Sequence, residues 1–313
     1  MTKSAAKILL PLLEFVIARS RGYLAIELFT RLCKKLNVKG IAVDGDYGRI
    51  YGDPRDEIIL RHYIEHGYWA REIVGFINES FSGPGGVFLD IGANIGLVTL
   101  PVSANKNVIC KAIEPDPANF ELLSQNVRAN SSDANIHLYN LALFDRDGHL
   151  DFELSPDNLG DHRVRANGAR APSGEFGEHQ REVIRVKAVT LDALTDLRDL
   201  RGKLVAKMDT QGAEAHVFKG GAKVLSHADV IIFEFWPYGL ARLGADLDFL
   251  YEFLGKNFRF GSIVEAGNTI ARDDFRDIDA IIDRLRGHAA GGDKDWHCDA
   301  IVCKDLPGRS SAD

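Results

Sequence analysis

Several features are scarce in this chain, and each scarcity excludes something. No apolar run is long enough to cross a bilayer, which takes about 20 residues. The nearest approach, Ile8 to Ile17, is broken by Pro11 and Glu14. Lys3 and Lys7 precede that stretch as in a secretory leader, but Glu14 sits inside it and no small-residue cleavage site follows. The expectation is a cytoplasmic protein whose leading helix docks on its own domain or on a partner. Loose membrane association through that helix is the alternative. Basic residues do not dominate either: the formal net charge is -7 and the pI ≈ 5.8. That is no electrostatic footprint for nucleic acid, so no nucleic-acid partner is expected. Cys33, Cys110, Cys298 and Cys303 have neither metal-site spacing nor a disulfide signature, so no metal is expected. There is no internal repeat. What remains is ordinary globular composition, 45% hydrophobic over 313 residues, enough for a substantial core without covalent staples.

Residues 90–96, Asp-Ile-Gly-Ala-Asn-Ile-Gly, organise the rest. The apolar run Val87-Phe88-Leu89 leads into Asp90, Gly92 and Gly96 follow, and Leu97 to Leu100 is apolar again. That order reads as strand, tight turn, helix. Glycine in such a turn permits positive φ and lets backbone approach a ligand. The next helix would point free N–H groups into the same gap. A dinucleotide fingerprint needs three glycines, G-x-G-x-x-G; here position 90 is Asp, Asn94 sits two before the second glycine, Gly96, and the third glycine is missing. A carboxylate at position 90 would repel a pyrophosphate and attract an ammonium. The ammonium and carboxylate of a methionine moiety suit the turn better: Asp90 or the Gly92 carbonyl for the first, the helix N-terminus for the second.

Along the chain, residues 1–82 read as an N-terminal appendage: helix to about residue 39, a hairpin from Ile41 to Tyr51, helices at Pro54 to Glu65 and Trp69 to Phe81. Residues 83–305 read as an α/β domain. Its strands are expected at Val87 to Ile91, Asn107 to Ile113, Ile136 to Asn140, Leu204 to Met208 and Val230 to Phe235, with helices at Ile95 to Ala104 and Pro117 to Ala129. Such alternation implies a Rossmann-like, largely parallel sheet with helices on both faces and a ligand at the strands' carboxyl ends. Two insertion strands, His149 to Leu154 and Glu182 to Val189, flank a long polar loop, Ser155 to Arg181, of the length expected of a lid or a disordered segment. Two last strands follow, Phe258 to Val264 and Asp299 to Cys303, joined by a helix from Asp274 to Arg286. Residues 306–313 read as a disordered tail.

Glu114, at the tip of the second strand, is placed to accept hydrogen bonds from both hydroxyls of an adenosine ribose, a feature shared by NAD and S-adenosylmethionine. Taken together, DIGANIG, IEPDPANFELLSQNVRAN (113–130) and KMDTQGAEAHVFKG (207–220) resemble the FkbM-type methyltransferases, of the class I S-adenosylmethionine-dependent superfamily. The resemblance implies a class I sheet with an antiparallel last strand, S-adenosylmethionine as cofactor, and O-methylation of a hydroxyl on a sugar or natural-product-like small molecule. It places the cofactor on Asp90, Gly92, Ala93, Asn94, Gly96, Glu114, Ala142 and Asp209. Members of the family often read Asp-Val-Glu-Gly-Ala-Glu where this chain reads Asp209-Thr210-Gln211-Gly212-Ala213-Glu214, so Gln211 departs from a common acid.

Methyl transfer from a sulfonium is mainly a matter of alignment, helped by a base for the acceptor's proton. Asp209, at the fourth strand tip, is the first candidate for positioning or base work. His162, in the long loop, is the second, brought in as the loop closes. Glu234, before Phe235-Trp236, is expected near the acceptor, and Lys207 in an ion pair. Tyr68 and Trp69 could stack on adenine or bury the appendage. Arg163, Arg165, Arg170 and Arg181 read as a solvated basic loop or a hint of an anionic or sugar acceptor. Two other functions stay open: an NAD-dependent oxidoreductase, disfavoured by the glycine pattern and Asp90, and a non-catalytic scaffold, which Gln211 would suit.

Overall fold

The computed structural model describes residues 23–83, 85–131, 135–166, 175–265 and 269–306. The leading apolar stretch at Ile8 to Ile17 and the tail beyond Leu306 lie outside the described residues, as does Arg170. Among the described residues, no helix is long and apolar enough to cross a membrane.

The N-terminal segment, proposed from the sequence as an appendage, begins with α1 (Tyr23–Leu36), whose Ile26, Phe29 and Cys33 are buried on one side. A hairpin of β1 (Ile41–Gly45) and β2 (Gly48–Gly52) follows. Helix α2 (Ile59–His66) starts five residues later than the proline at 54 suggests. The reason is Asp56, whose carboxylate accepts the N–H groups of Ile58, Ile59 and Leu60 and so holds a turn ahead of the helix. Such capping is worth about 1 kcal/mol. Helix α3 (Arg71–Ser80) completes the appendage.

The core runs β3 (Gly86–Ile91), α4 (Thr99–Ser103), β4 (Val108–Ile113), α5 (Pro117–Asn130) and β5 (Ile136–Tyr139). Asp116 caps α5 through the Asn119 N–H, with Pro117 at the first helical position. The insertion contributes β6 (Ala142–Leu143), β7 (Gly148–Leu154), β8 (Arg163–Val164), a 3-10 segment at Glu175–Gln180, and β9 (Glu182–Val189). After the short α6 (Leu191–Leu194) come β10 (Lys203–Met208), α7 (Glu214–Gly220), α8 (Ala222–Leu225), β11 (Val230–Phe235), α9 (Pro237–Leu243), α10 (Leu247–Asn257), β12 (Phe260–Val264), β13 (Arg276–Asp277), α11 (Ile278–Gly291) and β14 (Cys298–Cys303).

The main sheet has the order β13-β12-β14-β11-β10-β3-β4-β5. Strands β11, β10, β3, β4 and β5 are mutually parallel, and β14 is antiparallel to both β11 and β12. This is the expected α/β fold, a Rossmann-like sheet with helices on both faces and an antiparallel last strand. The order reverses at β3, which lies between β4 and β10; that is the switch point where α/β sheets bind ligands. The insertion strands form a second sheet, β6-β9-β7-β8.

Period-two alternation sorts the strand residues. Leu89, Ile91, Ala206, Met208 and Phe233 pack with α7, α10 and α11. Phe88, Ala112, Val205, Ile232 and Ile301 pack instead with the appendage, against Phe29, Ile50, Tyr63 and Ile77. Asp90, Lys207, Glu234 and Asp299 have the parity of this second set, and Glu114 and Asp209, just past their strands, continue it. The charged residues therefore gather at the carboxyl end of one sheet face.

One expectation at the centre is corrected. The helix after Gly96 begins at Thr99, not Ile95. Gly92, Asn94 and Gly96 all have positive φ (81°, 50° and 93°), which a right-handed helix cannot contain. The gap is therefore bordered by turn amides rather than by a helix N-terminus.

Candidate active site

A cleft opens where β3, β4 and β10 end, at the carboxyl ends of the strands where α/β sheets bind ligands. Gly92, Asn94, Glu114, Ala142, His162 and Asp209 line it, so six of the residues singled out from the sequence meet at one place. Asp90, Ala93 and Gly96 lie behind its wall. Asp90 is fully buried and accepts the Thr99 hydroxyl at 2.6 Å. Gly92 is required by packing: a Cβ there would lie 1.9 Å from the Asp209 carbonyl oxygen. At Gly96 a Cβ would meet the Leu123 side chain of α5 at 2.7 Å.

Glu114 is held from both sides. Its Oε2 accepts the Asn94 N–H and its Oε1 the Asp116 N–H, each at 2.8 Å. The carboxyl is only 4% exposed, and burial pushes its pKa up to about 8 against the pull of those two bonds.

At the other end of the cleft, Asp209 is fixed at both oxygens. Gln211 Nε2 donates to Oδ1 at 2.8 Å and Lys207 Nζ to Oδ2 at 3.3 Å. The expected ion pair of Lys207 is thus with Asp209. Burial acts to lower the lysine pKa, but Asp209, Asp90 and Asp299 outweigh it and hold the ammonium charged. Glu214, first residue of α7, accepts from the Thr210 N–H and hydroxyl and from the Gly212 N–H, closing the turn after β10. Burial raises its pKa to about 7. Glu234 is raised well above the usual carboxyl range by burial and by Asp209, Glu214 and Asp299.

His162 is buried, and its Nδ1 accepts the Ser155 N–H at 3.0 Å. The ring proton therefore belongs on Nε2, which lies 3.8 Å from Asp116 Oδ2. Burial lowers its pKa. The surrounding segment, residues 155–162, is a strap across the cleft. The Leu159 carbonyl accepts side-chain amides of Asn94 at 2.9 Å and Asn119 at 3.0 Å. On the outer side the Glu57 N–H donates to the Asp157 carbonyl at 2.8 Å. Asn119 and Leu159 carry no sequence signal for this role, since an apolar loop residue and a first-turn asparagine are common everywhere.

The loop arginines differ from a solvated basic loop. Arg163 is fully buried and paired with Glu153, Asp161 and Glu178; Arg181 is bound to Asp161. Arg242 of α9 joins Glu153 and Glu178. Tyr68 and Trp69 pack around the His62 ring, at 5.5 and 5.3 Å between centroids, and do not line the cleft.

The donor set fits a cationic, ribose-bearing cofactor. Lys207 is set among Asp90, Asp209 and Asp299, and buried Asp90 Oδ1 has no hydrogen-bond partner among the described residues. Glu114 presents a carboxylate at the cleft, the kind of group that would accept hydrogen bonds from a diol. Fold and cleft together define a Rossmann-like protein with a site for a small ligand at the carboxyl ends of its parallel strands.

Comparison with known proteins agrees. The family model described as the methyltransferase FkbM domain matches residues 90–288. The chain belongs to this family, and its cofactor is S-adenosylmethionine. A curated relative, the hexuronic acid methyltransferase AglP of Haloferax volcanii, is 28% identical over 148 residues, 47% of this chain and 55% of that protein. The chain thus spans about half the length of that relative. Among solved structures, M. jannaschii TYW2 in complex with AdoMet aligns with a TM-score of 0.38 at 11% identity, covering 84% of this chain and 85% of that one. The precorrin-6y C5,15-methyltransferase of Geobacter metallireducens aligns with a TM-score of 0.36 at 13% identity, covering 75% and 88%.

Proposed function

We propose that this protein transfers the methyl group of S-adenosylmethionine to a hydroxyl of a carbohydrate-like small molecule. The observation that carries the reading is the layout of one cleft, with the doubly bonded Glu114 at one end and the fixed Asp209 at the other. In this reading Glu114 takes the ribose hydroxyls, Ala142 borders the adenine, and Gly92 and Asn94 hold the methionine end, with Ala93, Gly96 and the buried Asp90 shaping the turn beneath it. The bound cofactor supplies an activated methyl on a positively charged sulfur.

What the chain must add is alignment. Asp209, its oxygens steered by Lys207 and Gln211, is set to accept a hydrogen bond from the acceptor hydroxyl and so orient it. His162 has a different part. Its unprotonated nitrogen is occupied by Ser155 and its N–H faces Asp116, so it anchors the strap rather than removing a proton. The carbohydrate class is supported by the relative that acts on a hexuronic acid.

The test is calorimetric titration with S-adenosylhomocysteine, with NADH as control, followed by transfer of labelled methyl to a panel of methyl glycosides and phenols. Binding of the homocysteine compound and labelling of glycosides is the expected result. Labelling of phenols alone refutes the carbohydrate assignment.

A further inference from the structure

Phe176 is one of the few large apolar side chains left exposed, at 40%. Its backbone lies in the left-handed region (φ 50°, ψ 33°), and Gly177 follows at φ 67°. An aromatic residue in that conformation is strained, and the surroundings must hold it there. Arg181 does so, donating to the Phe176 carbonyl from Nη2 at 3.1 Å and Nε at 3.4 Å. The same guanidinium donates to the Asp161 carbonyl at 2.5 Å and to the Asp161 carboxylate. Asp161 is part of the strap over the cofactor cleft. One side chain therefore ties the exposed ring to that strap.

The Phe176 ring is not isolated. It stands nearly perpendicular to Trp236 (5.3 Å between centroids, 83°) and lies 5.1 Å from Tyr238, which is itself 5.2 Å from Trp236. The two partners are rigidly held. Trp236 Nε1 donates to the Lys294 carbonyl at 2.8 Å, and the Arg163 guanidinium lies 5.3 Å from the indole. Tyr238 donates its hydroxyl to Glu178 at 3.2 Å. Trp236 and Tyr238 stand just beyond the carboxyl end of β11, at the start of α9. That helix touches the turn carrying Asp209: a Cβ on Gly212 would fall 2.6 Å from the Gly239 carbonyl carbon. Since the strands run β4-β3-β10-β11, Glu114 and the aromatic cluster lie on opposite sides of Asp209.

We propose that Phe176, Trp236 and Tyr238 form the acceptor subsite, and that Phe176 offers its face to the apolar C–H side of a pyranose ring. This rests on the function proposed above and names the part of the site that selects the acceptor. A sugar ring has an apolar face and a polar rim, which an exposed aromatic on a rigid base complements. Beside this base stands the Lys294 ammonium, 6.0 Å from the Tyr238 ring centre. Arg181 acts as a positioning residue: closing the strap over the cofactor and presenting Phe176 to the acceptor are one event.

The experiment uses the full chain with the methyl glycosides of glucose, galactose, glucosamine and glucuronic acid as probes. Methyl transfer is followed with labelled S-adenosylmethionine, and glycoside binding by tryptophan fluorescence with S-adenosylhomocysteine present. Phe176→Ala raises KM for the labelled glycoside about ten-fold, the loss of one aromatic contact, and leaves kcat and S-adenosylhomocysteine affinity within about two-fold. Phe176→Trp restores KM. Unchanged glycoside kinetics in Phe176→Ala overturn the subsite while leaving the function standing. Loss of S-adenosylhomocysteine affinity in that variant overturns it too, by assigning Phe176 to the cofactor. Wild-type protein that binds S-adenosylhomocysteine but neither binds nor methylates any glycoside refutes both. Wild-type protein that fails to bind S-adenosylhomocysteine at all refutes the function first.

Discussion

Gln211 donates its side-chain amide to Asp209 Oδ1 at 2.8 Å, and does so from a left-handed backbone conformation, φ 56°. A non-glycine residue pays steric strain there, so the bond is part of how the turn after β10 is built. Asp209 already faces Glu234 and Asp299, and a further carboxylate within hydrogen-bonding distance of it would add repulsion. The expected result for Gln211→Glu is a lowered kcat, because the donor to Asp209 Oδ1 is replaced by a second carboxylate that repels it. Gln211→Ala is expected to lower kcat by about 10- to 100-fold through misplacement of Asp209, with S-adenosylhomocysteine affinity little changed. A variant with wild-type kcat would detach Gln211 from the alignment of Asp209.

The proposed ribose contact of Glu114 implies a pH dependence of cofactor binding with a definite sign. With its pKa pushed up to about 8 by burial, the carboxyl of the free protein holds a proton at neutral pH. A ribose diol donates hydrogen bonds and so favours the ionised form. Binding below about pH 8 must then expel a proton. Affinity for S-adenosylhomocysteine is expected to rise from pH 6 to 8 by up to about ten-fold per unit and to level off above. Calorimetry in buffers of different ionisation enthalpy should show the proton leaving. Glu114→Ala removes charge-assisted bonds worth about 1.5–3 kcal/mol and is expected to weaken binding about 10- to 100-fold while the protein stays folded. Flat affinity across this range would exclude Glu114 from the ribose contact.

The buried arginine network makes a prediction about stability. Arg163 and Glu153 are fully buried and bonded at 2.8 Å, with Glu178 and Arg242 completing the cluster. Removing one charge strands the others away from water. Arg163→Ala is expected to cost about 3–5 kcal/mol, read as a lowered denaturation midpoint. The double replacement Arg163→Met with Glu153→Leu should recover much of that loss, because an apolar pair leaves fewer orphaned charges behind. If the double variant is no better than the single one, the cluster is not acting as a coupled ionic unit.

The parallel sheet was readable because each of its strands is an apolar run ending in a turn. Glu114 and Asp209 stood out because an acid directly after such a run sits at a strand tip. The second sheet was only half visible: β7 and β9 alternate over seven and eight residues, whereas β6 and β8 have two residues each, too few to show any period. The late start of α4 was hidden because Asn94 and the glycines fit the sequence pattern of a helix entrance as well as that of an extended turn. Long-range partners were invisible for a more basic reason. Nothing local tells that Arg163 meets Arg242 across Glu153, that the ring of His162 is capped by Ser155, or that Asp90 points beneath the cleft to Thr99 rather than into it.

The strap leads to a kinetic prediction. Its tip, the Leu159 carbonyl, receives two side-chain amides, from Asn94 in the β3 turn and Asn119 in α5. Its outer side is backed by the appendage through Glu57 and by Ile59, against which Gly160 is pressed: a Cβ there would lie 2.4 Å from Ile59 Cδ1. Leu159 and His162 line the cleft, so a ligand leaving past the strap requires these bonds to open. Asn119→Ala deletes one of the two amide bonds, worth about 0.5–1.5 kcal/mol, and should speed S-adenosylhomocysteine dissociation about 2- to 10-fold. Association should change less, because the strap is already open in the state that admits the ligand. A disulfide between cysteines introduced at Glu57 and Asp157 tests the same point from outside: it should slow dissociation when oxidised and lose that effect on reduction. Dissociation rates indifferent to both changes would mean that the cofactor leaves by a route that does not pass the strap.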